Sequence, residues 1–142
     1  GICMGTRFLA TNESRWHPAV KQALLDAGDS NTVAWGKTLG SGLGRTLKNK
    51  FTEKYLEMEA DSATAEELQT FIDGYKDQAN KGLDRKAGGY FDVDLEWGEI
   101  YMGAVSGLIR ELKNAGDVVP DMIAEAQNVL TRLQTDPLPA RL

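Results

Sequence analysis

Apolar residues recur along this chain with the period of a helix over most of its length, but its first ten residues follow a different pattern. Ile2, Cys3 and Met4 form a short apolar run that stops at Gly5-Thr6, ahead of Arg7-Phe8-Leu9-Ala10. A run bounded by such a turn signal predicts a buried strand ending at Gly5. From Ser14 the spacing turns helical: Val20, Ala23, Leu24 and Ala27 share a face, and Gly28 stands at the position of a C-cap. Between Asn31 and Gly44 the glycines Gly36, Gly40, Gly42 and Gly44 accumulate. Each would cost a helix about 0.8–1 kcal/mol, so a loop with a short extended piece is expected. Leu47, Phe51, Tyr55 and Met58 then predict an amphipathic helix, with Lys48, Lys50, Glu53, Lys54 and Glu57 on its other faces.

Thr64 and Glu67 make a capping box, followed in register by Leu68, Phe71, Ile72, Tyr75 and Ala79, with Gly82 as the stop. Beyond a loop containing Gly88, Gly89 and Asp94, the face Trp97, Tyr101, Ala104, Val105, Leu108 and Leu112 predicts a helix ending before Gly116. Asp117, with Pro120 in the first turn, opens a last helix on Val119, Ile123, Ala126, Leu130 and Leu133, and a tail carries Pro137 and Pro139. One strand against about five helices is lopsided. A lone buried strand leaves peptide groups unpaired at about 1–3 kcal/mol each, so its sheet is expected to come from sequence outside these residues.

The length of 142 residues suits one compact domain or a piece of a larger one and is too short for a complete (β/α)₈ barrel of about 250 residues. A hydrophobic share of 42% with 26% charged residues is that of a globular chain. The net charge of −5 offers no general attraction for nucleic acid or an anionic membrane, and neither is expected as a partner. No apolar run approaches the ~18 residues of a membrane span and no charged-then-apolar leader opens the chain, so the expected location is cytoplasmic. Gly1 in place of a methionine suggests a start inside a longer reading frame.

Candidate chemistry is sparse. Cys3 is the only cysteine and His17 the only histidine, which excludes an intrachain disulfide and any cysteine- or histidine-rich metal site. His17, just before Pro18, reads as a helix-entry residue without a partner for general-base work, and Cys3 as buried filler. No catalytic or metal residue is assigned. The Gly40-Ser41-Gly42-Leu43-Gly44-Arg45 stretch lacks dinucleotide spacing, and Asn31 stands where a phosphate loop needs glycine, so a hinge is the better reading. Gly103 and Gly107 are expected to allow close packing. Glu53, Glu57 and Glu59 interleave with Lys48, Lys50 and Lys54 and cancel their field beyond a Debye length of about 8 Å. There remains Met4-Gly5-Thr6 at the end of the expected strand, where amides free of a Cβ and a hydroxyl could meet a phosphate.

The run Gly1-Ile2-Cys3-Met4-Gly5-Thr6-Arg7-Phe8-Leu9-Ala10-Thr11-Asn12-Glu13-Ser14 closely resembles the end of the barrel in nitronate monooxygenases, also called 2-nitropropane dioxygenases. His17-Pro18, Val20-Lys21-Gln22-Ala23, Thr46-Leu47-Lys48-Asn49 and Gly103-Ala104-Val105-Ser106-Gly107-Leu108-Ile109 are similar to that family's C-terminal third in order and spacing. The resemblance implies a mainly α chain comprising the last strand of a TIM-type (β/α)₈ barrel and a C-terminal helical domain. Residues 1–12 would be the strand and phosphate-binding turn, and 13–142 a helical region with a final barrel-packing helix. It implies FMN as cofactor, with Cys3, Met4, Gly5 and Thr6 matching the phosphate-binding turn, and oxidation of alkyl nitronates by oxygen to carbonyl compounds and nitrite. Cys3 and Ala104 each stand where many members have Gln. The family's catalytic histidine lies upstream of this chain, so the implied partner is the N-terminal barrel of the same protein, without which the fragment is expected to self-associate. An FMN-type enoyl-acyl carrier protein reductase resembles the same fold and turn. A different class of reading is a cofactor-free helical module that binds a protein through Leu47, Phe51, Trp97 and Tyr101.

Overall fold

The structure, a computed structural model, describes residues 2–40, 43–75 and 93–135. The helix stop at Gly82, the centre of the expected hinge at Ser41 and Gly42, and the residues Gly1, Ala79, Gly88, Gly89, Pro137 and Pro139 lie outside the described residues.

Helix α1 spans Gly5–Leu9, α2 Pro18–Asp26, α3 Lys50–Ala60, α4 Ala65–Gly74 and α5 Ala115–Thr135; strands β1 and β2 are Thr32–Trp35 and Gly44–Leu47, and a 3₁₀ helix covers Ala104–Leu108. The strands pair antiparallel, with Thr32 opposite Leu47 and Trp35 opposite Gly44. Residues 100–102 run along the free edge of β2: the Leu47 N–H donates to the Ile100 carbonyl (2.8 Å) and the Met102 N–H to the Arg45 carbonyl (3.2 Å).

Two apolar clusters lie on either side of this sheet edge. Leu9, Ala10, Val20, Leu24, Ile100, Met102 and Ile109 form the first, which seats α1 and α2. Trp35, Phe51, Tyr55 and Leu68 form the second, joining β1 to α3 and α4. Rings continue outward from it, with Phe51 stacked on Phe71 (5.5 Å between centroids) and Tyr75 on Trp97 (5.0 Å).

Several expectations are corrected. Ile2–Met4 carry no regular structure and the chain enters α1 directly, with the Phe8 N–H reaching the Met4 carbonyl at 3.4 Å. A strand exists only through its neighbours' hydrogen bonds, and among the described residues no strand pairs with residues 2–4. The short extended piece expected within 31–44 is β1, because Thr32, Val33 and Trp35 favour extended backbone, and its partner strand β2 begins at the end of that stretch. Gly36 and Gly40 take positive φ (90° and 67°) between the two strands. Leu47 therefore ends β2 rather than opening α3. The helix start is made by Asn49, whose side chain accepts from the Thr52 N–H while the Thr52 hydroxyl accepts from the Asn49 N–H.

The helix expected over 97–112 does not form. Its apolar residues divide between sheet edge, 3₁₀ helix and surface, and Gly98, Gly103 and Gly107 punctuate the stretch. The last helix begins at Ala115, before Asp117, which puts Pro120 in the second turn; the Glu13 carboxylate accepts from the Ala115 N–H at 2.8 Å. Gly28 is a turn residue past α2, donating to Asn31 Oδ1 at 2.7 Å.

A clasp ties the start of the described chain to α5. The Asn12 N–H donates to the Lys113 carbonyl (2.9 Å), the Lys113 N–H to the Ala10 carbonyl (3.3 Å), and Arg7 Nη2 to the Glu111 carbonyl (2.8 Å). Behind it the buried Lys21 donates through Nζ to the Thr11 carbonyl at 2.7 Å; burial pushes its ammonium below the usual range, with Glu13 opposing. Among the described residues no helix is long and apolar enough to cross a membrane.

Candidate functional site

The clasp sets the irregular segment Ile2–Met4 and the first turn of α1 against the 3₁₀ helix and α5, and a cavity of about 660 Å³ opens between them. Cys3, Met4, Gly5 and Thr6 form one side. Val105, Leu108, Val118 and Met122 supply apolar walls, and Arg7, Lys113, Asp121 and Glu125 a charged end. The volume lies within the range of roughly 300–1,000 Å³ typical of small-molecule sites.

Donors predominate on the Cys3–Thr6 side. The N–H groups of Gly5, Thr6 and Arg7 have no backbone acceptor among the described residues, as expected where a helix begins. A Cβ built on Gly5 would meet nothing within 4 Å, so the space beside that peptide is open. Thr6 Oγ1 accepts from the Gly103 N–H at 2.8 Å, which occupies a lone pair and leaves the hydroxyl proton to be donated. Arg7 is held through Nη2 by carbonyls while its buried Nε lacks a partner. At the charged end Lys113 Nζ pairs with Asp121 at 2.6 Å; that hydrogen bond raises its pKa above the usual range, with the Arg7 guanidinium opposing.

All four residues singled out in the sequence thus face one cavity. Cys3 is exposed rather than buried filler. His17 is the N-cap of α2, its Nδ1 accepting from the Ala19 N–H at 3.1 Å. Arg7, Gly103 and Lys113 were missed. The first two lie within stretches already notable in the sequence, whereas Lys113 enters only because the clasp brings residues 10–12 and 113 together. Gly103 also borders a smaller cavity of about 270 Å³ with Trp16, Arg45 and Tyr101. Of the residues expected to form a helical module's interaction surface, Phe51 is buried and Trp97 is stacked on Tyr75, while Leu47 is half-buried and Tyr101 is exposed.

Residues 1–125 match the family model described as nitronate monooxygenase. The chain belongs to the nitronate monooxygenase family. Its fold is similar to that of FabK from Thermotoga maritima, with a TM-score of 0.74 and 29% identity over 93% of this chain and 38% of that one. A methionine-to-alanine mutant of the same FabK gives 0.62 and 27% over 93% of this chain and 36% of that one. This chain therefore spans little more than a third of the length of the structures it matches. The nitronate monooxygenase family is a flavin-dependent one.

Proposed function

We propose that this chain is the C-terminal part of a cytoplasmic, FMN-dependent nitronate monooxygenase and that Cys3, Met4, Gly5 and Thr6 form the turn that holds the FMN phosphate. The supporting observation is the donor set at that turn: unpaired amides at Gly5 and Thr6, open space beside Gly5, and a Thr6 hydroxyl with its proton free to donate. Such a set suits an anion with several acceptor oxygens. Cys3 in place of the family's frequent Gln leaves these backbone contacts unchanged. The apolar walls at Val105, Leu108 and Met122 suit a ring system attached to that anion. When bound, the flavin supplies the redox chemistry by which oxygen converts an alkyl nitronate to a carbonyl compound and nitrite. This chain's contribution is to grip and orient.

The N-terminal barrel of the same protein is the proposed partner. Leu108 and Ile2 beside the cavity are 80% and 74% exposed, and Ile123 and Leu130 on α5 are 51% and 61% exposed, leaving an apolar face for it to cover.

The test is to express the complete reading frame and assay the purified protein for bound FMN and for oxygen-dependent nitrite release from an alkyl nitronate. Flavin with nitrite release is the expected result; a colourless protein would overturn the reading. The likeness of the fold to FabK favours keeping a second reading, an FMN-type enoyl-acyl carrier protein reductase. Flavin with NAD(P)H-dependent enoyl reduction and no nitrite would select it.

A further inference from the structure

We infer that Gly103 is a positioning residue for the cofactor phosphate, acting through its backbone N–H on the Thr6 hydroxyl. The inference rests on the FMN reading above. Thr6 and Gly103 are 97 residues apart in sequence, yet the Gly103 N–H donates to Thr6 Oγ1 at 2.8 Å and both residues line the large cavity. A threonine hydroxyl carries one proton and accepts on its lone pairs. An N–H fixed on one lone pair excludes the proton from that direction and turns it toward the remaining neighbours, which include the large cavity that Thr6 lines. The hydroxyl thereby joins the Gly5 and Thr6 amides as a third donor to one anion.

The donor is rigidly mounted. On one side the Met102 N–H is bonded to the Arg45 carbonyl at the sheet edge, and Met102 is buried. On the other, the Ser106 N–H donates to the Gly103 carbonyl at 3.1 Å, opening the 3₁₀ helix. Glycine is favoured here by proximity rather than by conformation, since φ is −78°, which any residue adopts. A Cβ would lie 3.1 Å from Thr6 Oγ1, so the hydroxyl would have to give way from its place against the Gly103 N–H.

The experiment compares FMN with riboflavin, which lacks the phosphate, on the apoprotein of the complete reading frame. Wild type is expected to prefer FMN. Gly103→Ala and Thr6→Val should each weaken FMN about tenfold or more while leaving riboflavin binding little changed, and Thr6→Ser should restore the preference. Wild-type preference retained in Gly103→Ala would overturn the inference and leave the phosphate turn standing. No preference in wild type would overturn the phosphate turn itself. Should Gly103→Ala fail to fold, glycine-selective ¹⁵N labelling of wild type decides: the Gly103 amide resonance should move with FMN and with inorganic phosphate but not with riboflavin, and an unmoved resonance refutes the role.

Discussion

Gly5 and Gly107 are both glycines beside the clasp, but the space around them differs, and so do the outcomes expected on substitution. Nothing lies within 4 Å of a Cβ at Gly5, so Gly5→Val should fold with its thermal midpoint nearly unchanged. Its side chain would occupy the proposed phosphate cradle and weaken FMN binding at least about tenfold, the value of one or two charge-assisted hydrogen bonds. Flavin absorbance after gel filtration of the complete protein reads this directly, and retained flavin would refute the cradle. At Gly107 a Cβ would lie 2.1 Å from Asp29 Oδ1 and 2.9 Å from the Asp29 backbone nitrogen, so the main chain itself must move. Gly107→Ala should therefore destabilise by about 1–3 kcal/mol in urea unfolding, without a specific effect on flavin. The expectation that this glycine permits close packing holds, although its neighbour is the turn after α2 and not another helix.

The chain's helices differ in how far the residues that define them lie from one another. In α4 the Thr64 N–H donates to Glu67 Oε2 at 2.7 Å and the Glu67 N–H to Thr64 Oγ1 at 3.2 Å, so the capping box read from the sequence is present. All of its parts fall within four residues. The Thr64 amide and hydroxyl hold the Glu67 carboxyl below its ordinary pKa of 4.5. A carboxylate depressed in the folded state stabilises it above the unfolded pKa, and the benefit is lost as pH falls through the folded one. The stability difference between wild type and Glu67→Gln should accordingly hold from pH 7 to about 5 and shrink below 4.5, read as urea midpoints; a difference independent of pH would refute the charge's role. For α3 the cap was missed because Leu47 lies four residues before Phe51, a helical spacing that arises by coincidence from a strand residue. The determining residue is Asn49, which also donates through Nδ2 to the Leu95 and Gly98 carbonyls at 3.1 and 2.8 Å. Asn49→Ala should cost about 2–3 kcal/mol, from a lost cap and two lost side-chain bonds, measured in the same way. The hairpin, the 100–102 edge and the start of α5 were illegible for a common reason. Each depends on a partner distant in sequence, as when Glu13 receives the first amide of α5. The four residues expected to form a phosphate turn are consecutive and so line one cavity together, whereas Gly103 and Lys113 reach it only through tertiary pairing.

At the scale of the whole chain, the decisive surface is α5. Val118 is its one buried residue, while Val119, Ile123, Val129, Leu130 and Leu133 are exposed. Together with Met122 and Ala126 they occupy roughly 120° of the helix circumference at 3.6 residues per turn, a stripe as broad as one that packs on a domain core. In the complete protein the barrel is the proposed cover. In the chain alone the stripe lies open beside the exposed Leu108 and Ile2, and such a continuous apolar surface drives association. Charge favours an antiparallel arrangement of two copies, since Asp117, Asp121 and Glu125 lie in the first half of α5 and Arg132 in the second. Sedimentation of the isolated chain at tens of micromolar should therefore show dimers or larger species. Ile123→Glu with Leu130→Glu should return it to monomer with its far-ultraviolet dichroism intact. The same pair in the complete protein should lower its unfolding midpoint, because there the charges would meet the barrel instead of water. An isolated chain that stays monomeric, or a complete protein indifferent to both substitutions, would mean that this face of α5 is a solvent surface and that the barrel docks elsewhere.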